Sequence, residues 1–96
     1  MGTIKVSADV STVFPPRDIR VTVKRIADGT TVKIFESSKS FSRDFTNIDS
    51  GQYLVTFEGD NQTNGSTTVS VESDLSPAQG DTTSVPRYNL SYLANI

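Results

Sequence analysis

Apolar and polar residues alternate with a period of two along most of this chain. Such alternation predicts β-strands with one face in a core and the other in solvent. No window of about 11 residues has the spacing of an amphipathic helix. Seven alternating sets can be separated, and they begin at Ile4, Ile19, Val32, Phe41, Tyr53, Thr67 and Tyr88. We therefore expect about seven short strands.

Turn-forming residues separate these sets. Phe14-Pro15-Pro16 ends the first set, because paired prolines cannot join the middle of a ladder. Asp28-Gly29 is a tight-turn signal, and it predicts a hairpin between the second and third strands. Asp49-Ser50-Gly51 has turn chemistry and precedes the fifth strand. Residues 73–84 are polar and contain one Pro and one Gly, so we expect a connection there.

The spacing of these strands predicts an all-β fold, a two-sheet antiparallel β-sandwich. The chain has 96 residues, which fits one small domain over residues 1–96. The Cys and Trp of classical immunoglobulin domains are absent from the sequence.

The run from Phe45 to Gly59 reads FTNIDSGQYLVTFEG. It resembles the pattern of a hydrophobic residue, two or three residues, Gly, any residue, Tyr, any residue and Val in prealbumin-like and carboxypeptidase-regulatory-like domains. The similarity extends from Ile19 to Val71. It implies an Ig-like, prealbumin-like sandwich in which this run forms a strand, a turn and the next core strand. Such domains bind or act as spacers, so the resemblance implies no catalytic residue.

The composition excludes several kinds of catalytic and metal-binding site. The chain has no Cys and no His, which excludes disulfides and removes the commonest general base and the preferred ligands of zinc. Four carboxylates, Asp44, Asp49, Glu58 and Asp60, could form a glycosidase-type pair, but we expect them at solvated strand ends and loops. We expect no enzyme, no metal and no cofactor.

The stretch from Glu58 to Thr68, EGDNQTNGSTT, is the richest in acids, amides and glycine. A calcium loop that starts at Asp60 would need a carboxylate ligand at its twelfth position, which is Val71. The alternation puts Val71 in the core. We therefore predict a hairpin loop between the fifth and sixth strands, with Asn64-Gly65 as its turn.

The net charge is −2, and no apolar run approaches the roughly 18 residues of a membrane span, so we expect neither nucleic acid nor membrane as a partner. The charge is uneven along the chain. Residues 1–43 carry eight basic and four acidic groups, whereas residues 44–96 carry one basic and seven acidic groups. The asymmetry cancels if the two halves interleave in the sandwich. Otherwise the molecule is polar and associates head to tail or with an oppositely charged neighbour.

The C-terminal segment, about residues 85–96, is rich in apolar side chains. It is either a last strand in the core or an arm that adds a strand to a neighbouring subunit. Phe14, beside two prolines, either joins a contact patch or plugs one end of the sandwich. The candidate interaction residues are Phe14, Tyr88, Leu90, Tyr92, Leu93 and Ile96.

Two non-catalytic functions fit these observations. If Met1 is the native start, the chain begins in a strand without a signal peptide. We then expect a phage virion component, such as a capsid decoration or head–tail accessory protein, made in the host cytoplasm. Its partners would be capsid or other virion subunits, or itself, as a homo-oligomer or bound to a lattice. The alternative is a spacer or binding module of a larger bacterial surface or secreted protein. The ending Leu93-Ala94-Asn95-Ile96 does not resemble a linker, which favours the first.

Overall fold

The computed structural model describes residues 1–11, 18–61 and 65–96, which form two four-stranded antiparallel sheets. The strand order is β4-β1-β6-β7 in the first sheet and β3-β2-β5-β8 in the second. The strands are β1 (Gly2–Ser11), β2 (Ile19–Arg25), β3 (Thr31–Ser37), β4 (Phe41–Ile48), β5 (Gln52–Asp60), β6 (Ser66–Ser73), β7 (Ser76–Thr83) and β8 (Arg87–Asn95). The predicted all-β sandwich is confirmed, with eight strands instead of seven.

The core lies between the inward faces of the four central strands, β1, β2, β5 and β6. Every second residue of these strands is buried, as the alternation predicts. The most deeply buried apolar side chains are Ile4, Val6, Ile19, Val21, Val23, Tyr53, Val55, Phe57, Val69 and Val71. Burial of one such side chain contributes about 1.5–3 kcal/mol, and a slip of one residue would turn a whole set into solvent. The alternation therefore specifies the register of these strands.

Strand β7 corrects the prediction that residues 73–84 are only a connection. It pairs with β6 from Thr67 opposite Thr83 to Ser73 opposite Ser76. The alternation missed this strand because it is an edge strand with almost no buried side chain. Gly80 allows its close approach to β6, since a Cβ there would overlap the carbonyl oxygen of Val69.

The connection between β5 and β6 is also different from the prediction. The two strands lie in different sheets, so β5 and β6 do not pair as a hairpin. Residues 62–64, which include Asn64 of the predicted turn, lie outside the described residues. Val71 is fully buried, as expected. The hairpin predicted at Asp28-Gly29 is confirmed, with Gly29 at a positive φ of 71°.

The two halves of the chain repeat one arrangement of four strands. In each half the first and the last strand pair with each other, and the two strands between them form a hairpin. The pairs are β1–β4 and β2–β3 in the first half, and β5–β8 and β6–β7 in the second. The halves join through β1–β6 and β2–β5. The two junctions have equivalent registers, with Val21 opposite Phe57 and Val23 opposite Val55 in one, and Val69 opposite Ala8 and Val71 opposite Val6 in the other. The sandwich therefore has an internal pseudo-two-fold relation.

This arrangement keeps the two halves of the chain on opposite flanks of the molecule. Strands β1 to β4 occupy one side of both sheets, and β5 to β8 occupy the other side. The described part of residues 1–48 carries seven basic and five acidic groups, and residues 49–96 carry one basic and six acidic groups. The strands of the two halves do not interleave within a sheet, so the charge asymmetry of the sequence is kept in space.

Candidate interaction surfaces

The C-terminal segment forms the last strand of its own sheet. β8 pairs with β5 over its whole length, from Arg87 opposite Asp60 to Asn95 opposite Gln52. Ile96 then exchanges two backbone hydrogen bonds with Gly51, at 2.8 and 2.9 Å. Within a single chain this segment is therefore an intramolecular strand.

The structure separates the candidate interaction residues into two groups. Tyr88 is buried, and Leu90, Tyr92 and Ile96 are partly buried against the core. Leu93 points outward and is 53% exposed. Phe14 lies outside the described residues. Of the five tail residues, Leu93 is thus the one available for contact with another molecule.

Tyr88 closes the core over a glycine of the neighbouring strand. It lies opposite Gly59, and a Cβ at Gly59 would overlap the hydroxyl group and ring of Tyr88. Burial raises the pKa of the Tyr88 phenol above its ordinary value. The aromatic ring replaces the side chain that Gly59 lacks, which gives Tyr88 a role in packing.

Tyr92 connects the edges of the two sheets at the β7–β8 side. Its hydroxyl group donates a hydrogen bond of 2.6 Å to Oδ2 of Asp81, and its ring lies edge-on to Phe57 with centroids 6.0 Å apart. Burial, and then the bond to the Asp81 carboxylate, raise the pKa of Tyr92 well above its usual value. Nε2 of Gln79 also donates a bond of 2.6 Å to the carbonyl of Leu93. These side-chain bonds close this side of the sandwich.

The opposite side is closed by an aromatic pair and a cation. Phe35 of β3 and Phe41 of β4 meet edge to face, with centroids 5.0 Å apart. The guanidinium carbon of Arg43 lies 4.8 Å from the centroid of Phe35, which is cation–π geometry. Arg43 occupies the same face of β4 as Phe41 and Phe45, at alternate positions of the strand. The structure explains this position, because the long side chain covers the open rim of the core.

Asn61 forms a buried polar network that sequence reasoning missed. It is 1% exposed, and its Nδ2 donates to the carbonyls of Thr83 and Val85 at 3.1 and 2.7 Å. Its Oδ1 accepts a bond of 2.5 Å from the hydroxyl group of Thr67. Its backbone N–H donates to the carbonyl of Pro86 at 2.8 Å. Asn61 therefore ties the end of β5 to β6 and to the β7–β8 connection, and both polar atoms of its side chain are hydrogen-bonded.

Tyr53 fixes the corner at which the chain passes from β4 to β5. Its hydroxyl group donates a hydrogen bond of 2.7 Å to the carbonyl of Asp49, four residues upstream. This is the geometry of the tyrosine corner of Ig-like sandwiches. The corner lies inside the run from Phe45 to Gly59, which therefore forms a strand, a corner and a core strand.

Four exposed apolar residues lie at or near the end of the sandwich where β1 begins and β8 ends. Ile26 donates a backbone bond to Gln52, Gln52 pairs with Asn95, and the backbone N–H of Leu75 donates to the carbonyl of Asn95. Met1 precedes Gly2, which lies against Ile96. We call this surface the apolar end, formed by Met1, Ile26, Leu75 and Leu93, which are 86%, 45%, 71% and 53% exposed.

Of the carboxylates considered for catalysis, Asp44 and Asp49 lie apart from Glu58 and Asp60, which are two residues apart on β5 and line one surface depression. Asp44 is on an outer edge strand of one sheet, Glu58 is on the other sheet, and Asp49 is at the corner between them. Asp60 ends β5 opposite Arg87. Among the described residues, no three His, Cys, Asp or Glu side chains are grouped so that they could hold a metal ion. That part of the chain also contains no helix of a length and hydropathy suited to crossing a membrane.

Comparisons of the chain with protein-family models, with curated proteins and with solved structures gave no match.

Proposed function

We propose that this protein is a non-catalytic structural component of a phage virion, such as a capsid decoration or head–tail accessory protein, that acts through protein–protein contact. The observation that carries the proposal is the apolar end. Four of the six large apolar side chains that are exposed in the described residues gather there. An apolar patch surrounded by polar residues is typical of surfaces that bind another protein.

The shape of the molecule supports a contact role. The apolar end caps a sandwich with extents of 40 × 22 × 17 Å between Cα atoms. A compact domain of this kind presents its end to a partner without a change of fold. The buried Asn61 network and the side-chain bonds between β7 and β8 stabilise the shape that the partner would meet.

A second candidate function is a prealbumin-like spacer or binding module of a larger bacterial surface or secreted protein. The tyrosine corner at Asp49 and Tyr53 favours it, because the corner falls in the run that resembles those domains. The first two strands, however, lie in different sheets, whereas strands A and B share a sheet in constant-type immunoglobulin domains.

The size and location of the native polypeptide distinguish these functions. An antibody against the purified chain is used to probe fractions of the source organism and of its purified phage particles. A band at the 10.4 kDa of the chain in particles supports the virion function. A larger band in the envelope or the culture medium supports the surface module. A 10.4 kDa band confined to the soluble cell fraction refutes both.

Two variants test whether the apolar end is the contact surface. The double variant Leu75→Ser and Leu93→Ser removes two exposed apolar side chains, and we expect it to be lost from purified particles. Ile34→Ser is the matched control, since Ile34 is 56% exposed but lies three strands from Leu93 on the same sheet. Equal incorporation of the double variant and the control would refute the role of the apolar end.

A further inference from the structure

The outer strands β3 and β4 carry exposed cations on one flank of the sandwich. Lys33 lies on β3, Lys39 on the connection and Arg43 on β4, and all three are exposed. The acids of this region face other cations, since Glu36 bonds Arg20 at 3.1 Å and Asp44 lies opposite Lys5. We call Lys33, Lys39 and Arg43 the cationic flank.

The hairpin formed by β6 and β7 carries the opposite charge. Residues 66–83 contain three acids, Glu72, Asp74 and Asp81, and no Lys or Arg. All three are exposed, and Glu72 lies opposite Lys5 of β1, which also faces Asp44. Asp81 accepts the hydrogen bond of Tyr92, which keeps its carboxylate at the edge. We call these three residues the acidic flank.

The two flanks are too far apart to neutralise each other. In the order β4-β1-β6-β7, Arg43 on β4 is three strand spacings from Asp81 on β7 and two from Glu72 on β6. At about 4.8 Å per spacing these separations are roughly 14 and 10 Å, and both exceed the Debye length of about 8 Å at physiological ionic strength. Each flank therefore presents its own field to a neighbouring molecule.

We propose that the acidic flank of one copy of this chain binds the cationic flank of a second copy, so that the copies associate head to tail. The occupant is a second copy because both complementary surfaces lie on one molecule, on opposite sides. The contact joins two different surfaces, so it is heterologous and repeats from copy to copy in a ring or a row. Its partner charges attract at low salt and are screened at high salt.

The edge strands favour a contact through side chains over a continuous β-ladder. Pro77 in β7 has no N–H for a ladder bond. β4 is bulged, with its register shifted between Gly2 and Ile4 and with Asn47 at a positive φ of 59°. Both features blunt the edges against strand pairing. The association is therefore reversible and follows ionic strength.

Multi-angle light scattering of the purified chain at millimolar concentration tests the proposal. At about 0.01 M salt, where the Debye length is about 30 Å, we expect the weight-average mass to be at least double that of the monomer. At about 0.5 M salt we expect the 10.4 kDa monomer. A monomer at low salt, or an oligomer that high salt does not dissociate, would overturn the proposal.

Two charge-reversed variants test which surfaces meet. Lys33→Glu with Lys39→Glu makes both flanks acidic, and Glu72→Lys with Asp74→Lys makes both flanks basic. We expect each variant alone to be a monomer at low salt and an equimolar mixture to associate again. Lys24→Glu is the control, because this exposed lysine lies on the central strand β2, outside both flanks. We expect the control to associate like the wild type.

Each other outcome counts against the proposal. Continued self-association of either reversed variant, a monomeric mixture, or loss of association in the control would show that the flanks are not the contact. Thermal melts establish that the variants fold. If a variant does not fold, the light-scattering salt series of the wild type still tests the proposal. The inference concerns the flanks and not the apolar end, so it stands or fails independently of the virion function.

Discussion

We expect replacement of Asn61 by Ala to destabilise the fold more than a substitution at a loop position usually does. The change removes three side-chain hydrogen bonds, to the carbonyls of Thr83 and Val85 and from the hydroxyl group of Thr67. It leaves the backbone bond to Pro86 in place. The three groups that bonded to the Asn61 side chain then lose this partner, at a site where Asn61 is 1% exposed.

The magnitude follows from these bonds. Each contributes about 1 kcal/mol net, and buried groups left without partners cost about 1–3 kcal/mol unless water enters the space. We expect a loss of about 3–5 kcal/mol from the free energy of unfolding, out of the 5–15 kcal/mol that is typical of a domain. For a chain of this size, a loss of 3 kcal/mol lowers Tm by roughly 12–24 °C.

Urea denaturation and thermal melts of the variant measure this loss. Asn89→Ala is the matched control, since Asn89 is an exposed residue on the outer face of β8. We expect the control to stay within about 0.5 kcal/mol of the wild type. If Asn61→Ala lost less than about 1 kcal/mol, the network would not tie β5 to the β7–β8 connection, and the reasoning would be refuted.

The variant Asn61→Asp adds a test by pH. A carboxylate at this site would face the carbonyls of Thr83 and Val85 in a buried environment, which raises its pKa in the folded state. The folded state then favours the protonated form. The loss of stability is therefore smallest below the unfolded pKa of about 3.9 and grows as the pH rises above it. A loss that did not change between about pH 3 and pH 7 would contradict this, with the wild type measured in parallel.

Three further predictions concern the tyrosines. Tyr53→Phe removes the bond to the carbonyl of Asp49, and urea denaturation should show a loss of about 1–2 kcal/mol; no loss would mean that the corner is held by packing alone. Gly59→Ala forces a Cβ into Tyr88, and a melt should show a loss of about 1–3 kcal/mol; the same substitution should cost less in a Tyr88→Ala background, where the ring is absent. Tyr92 should ionise well above pH 10 in the folded chain, so stability should fall as the pH rises above the unfolded pKa of about 10. An ultraviolet titration should show a tyrosine that ionises at this high pH and is absent from Tyr92→Phe. If the variant kept that step, the raised pKa would not belong to Tyr92.

The apolar end and the charged flanks are separate surfaces of one rigid sandwich. The apolar end lies where β1 begins and β8 ends, whereas the cationic flank lies on β3, β4 and their connection and the acidic flank lies on the β6–β7 hairpin. A molecule with both can bind a partner through its end while it touches its neighbours through its sides. The antibody experiment tests the first contact and light scattering tests the second.

The central strands could be predicted from the amino-acid sequence. In β1, β2, β5 and β6 a period of two places apolar residues on one face, and that face must be buried. The turn at Asp28-Gly29 could also be predicted, because glycine adopts a positive φ, as Gly29 does, more readily than other residues. These features are local, so a single sequence contains them.

An edge strand, a buried polar residue and the strand order could not be predicted, because each depends on residues that are distant in the chain. β7 has almost no buried face and is a strand only because β6 pairs with it. Asn61 is buried because carbonyls more than 20 residues away accept its bonds. The strand order, set by long-range packing, placed the basic and acidic halves on opposite flanks. A period of two specifies which way a side chain faces, but not which strand lies beside it.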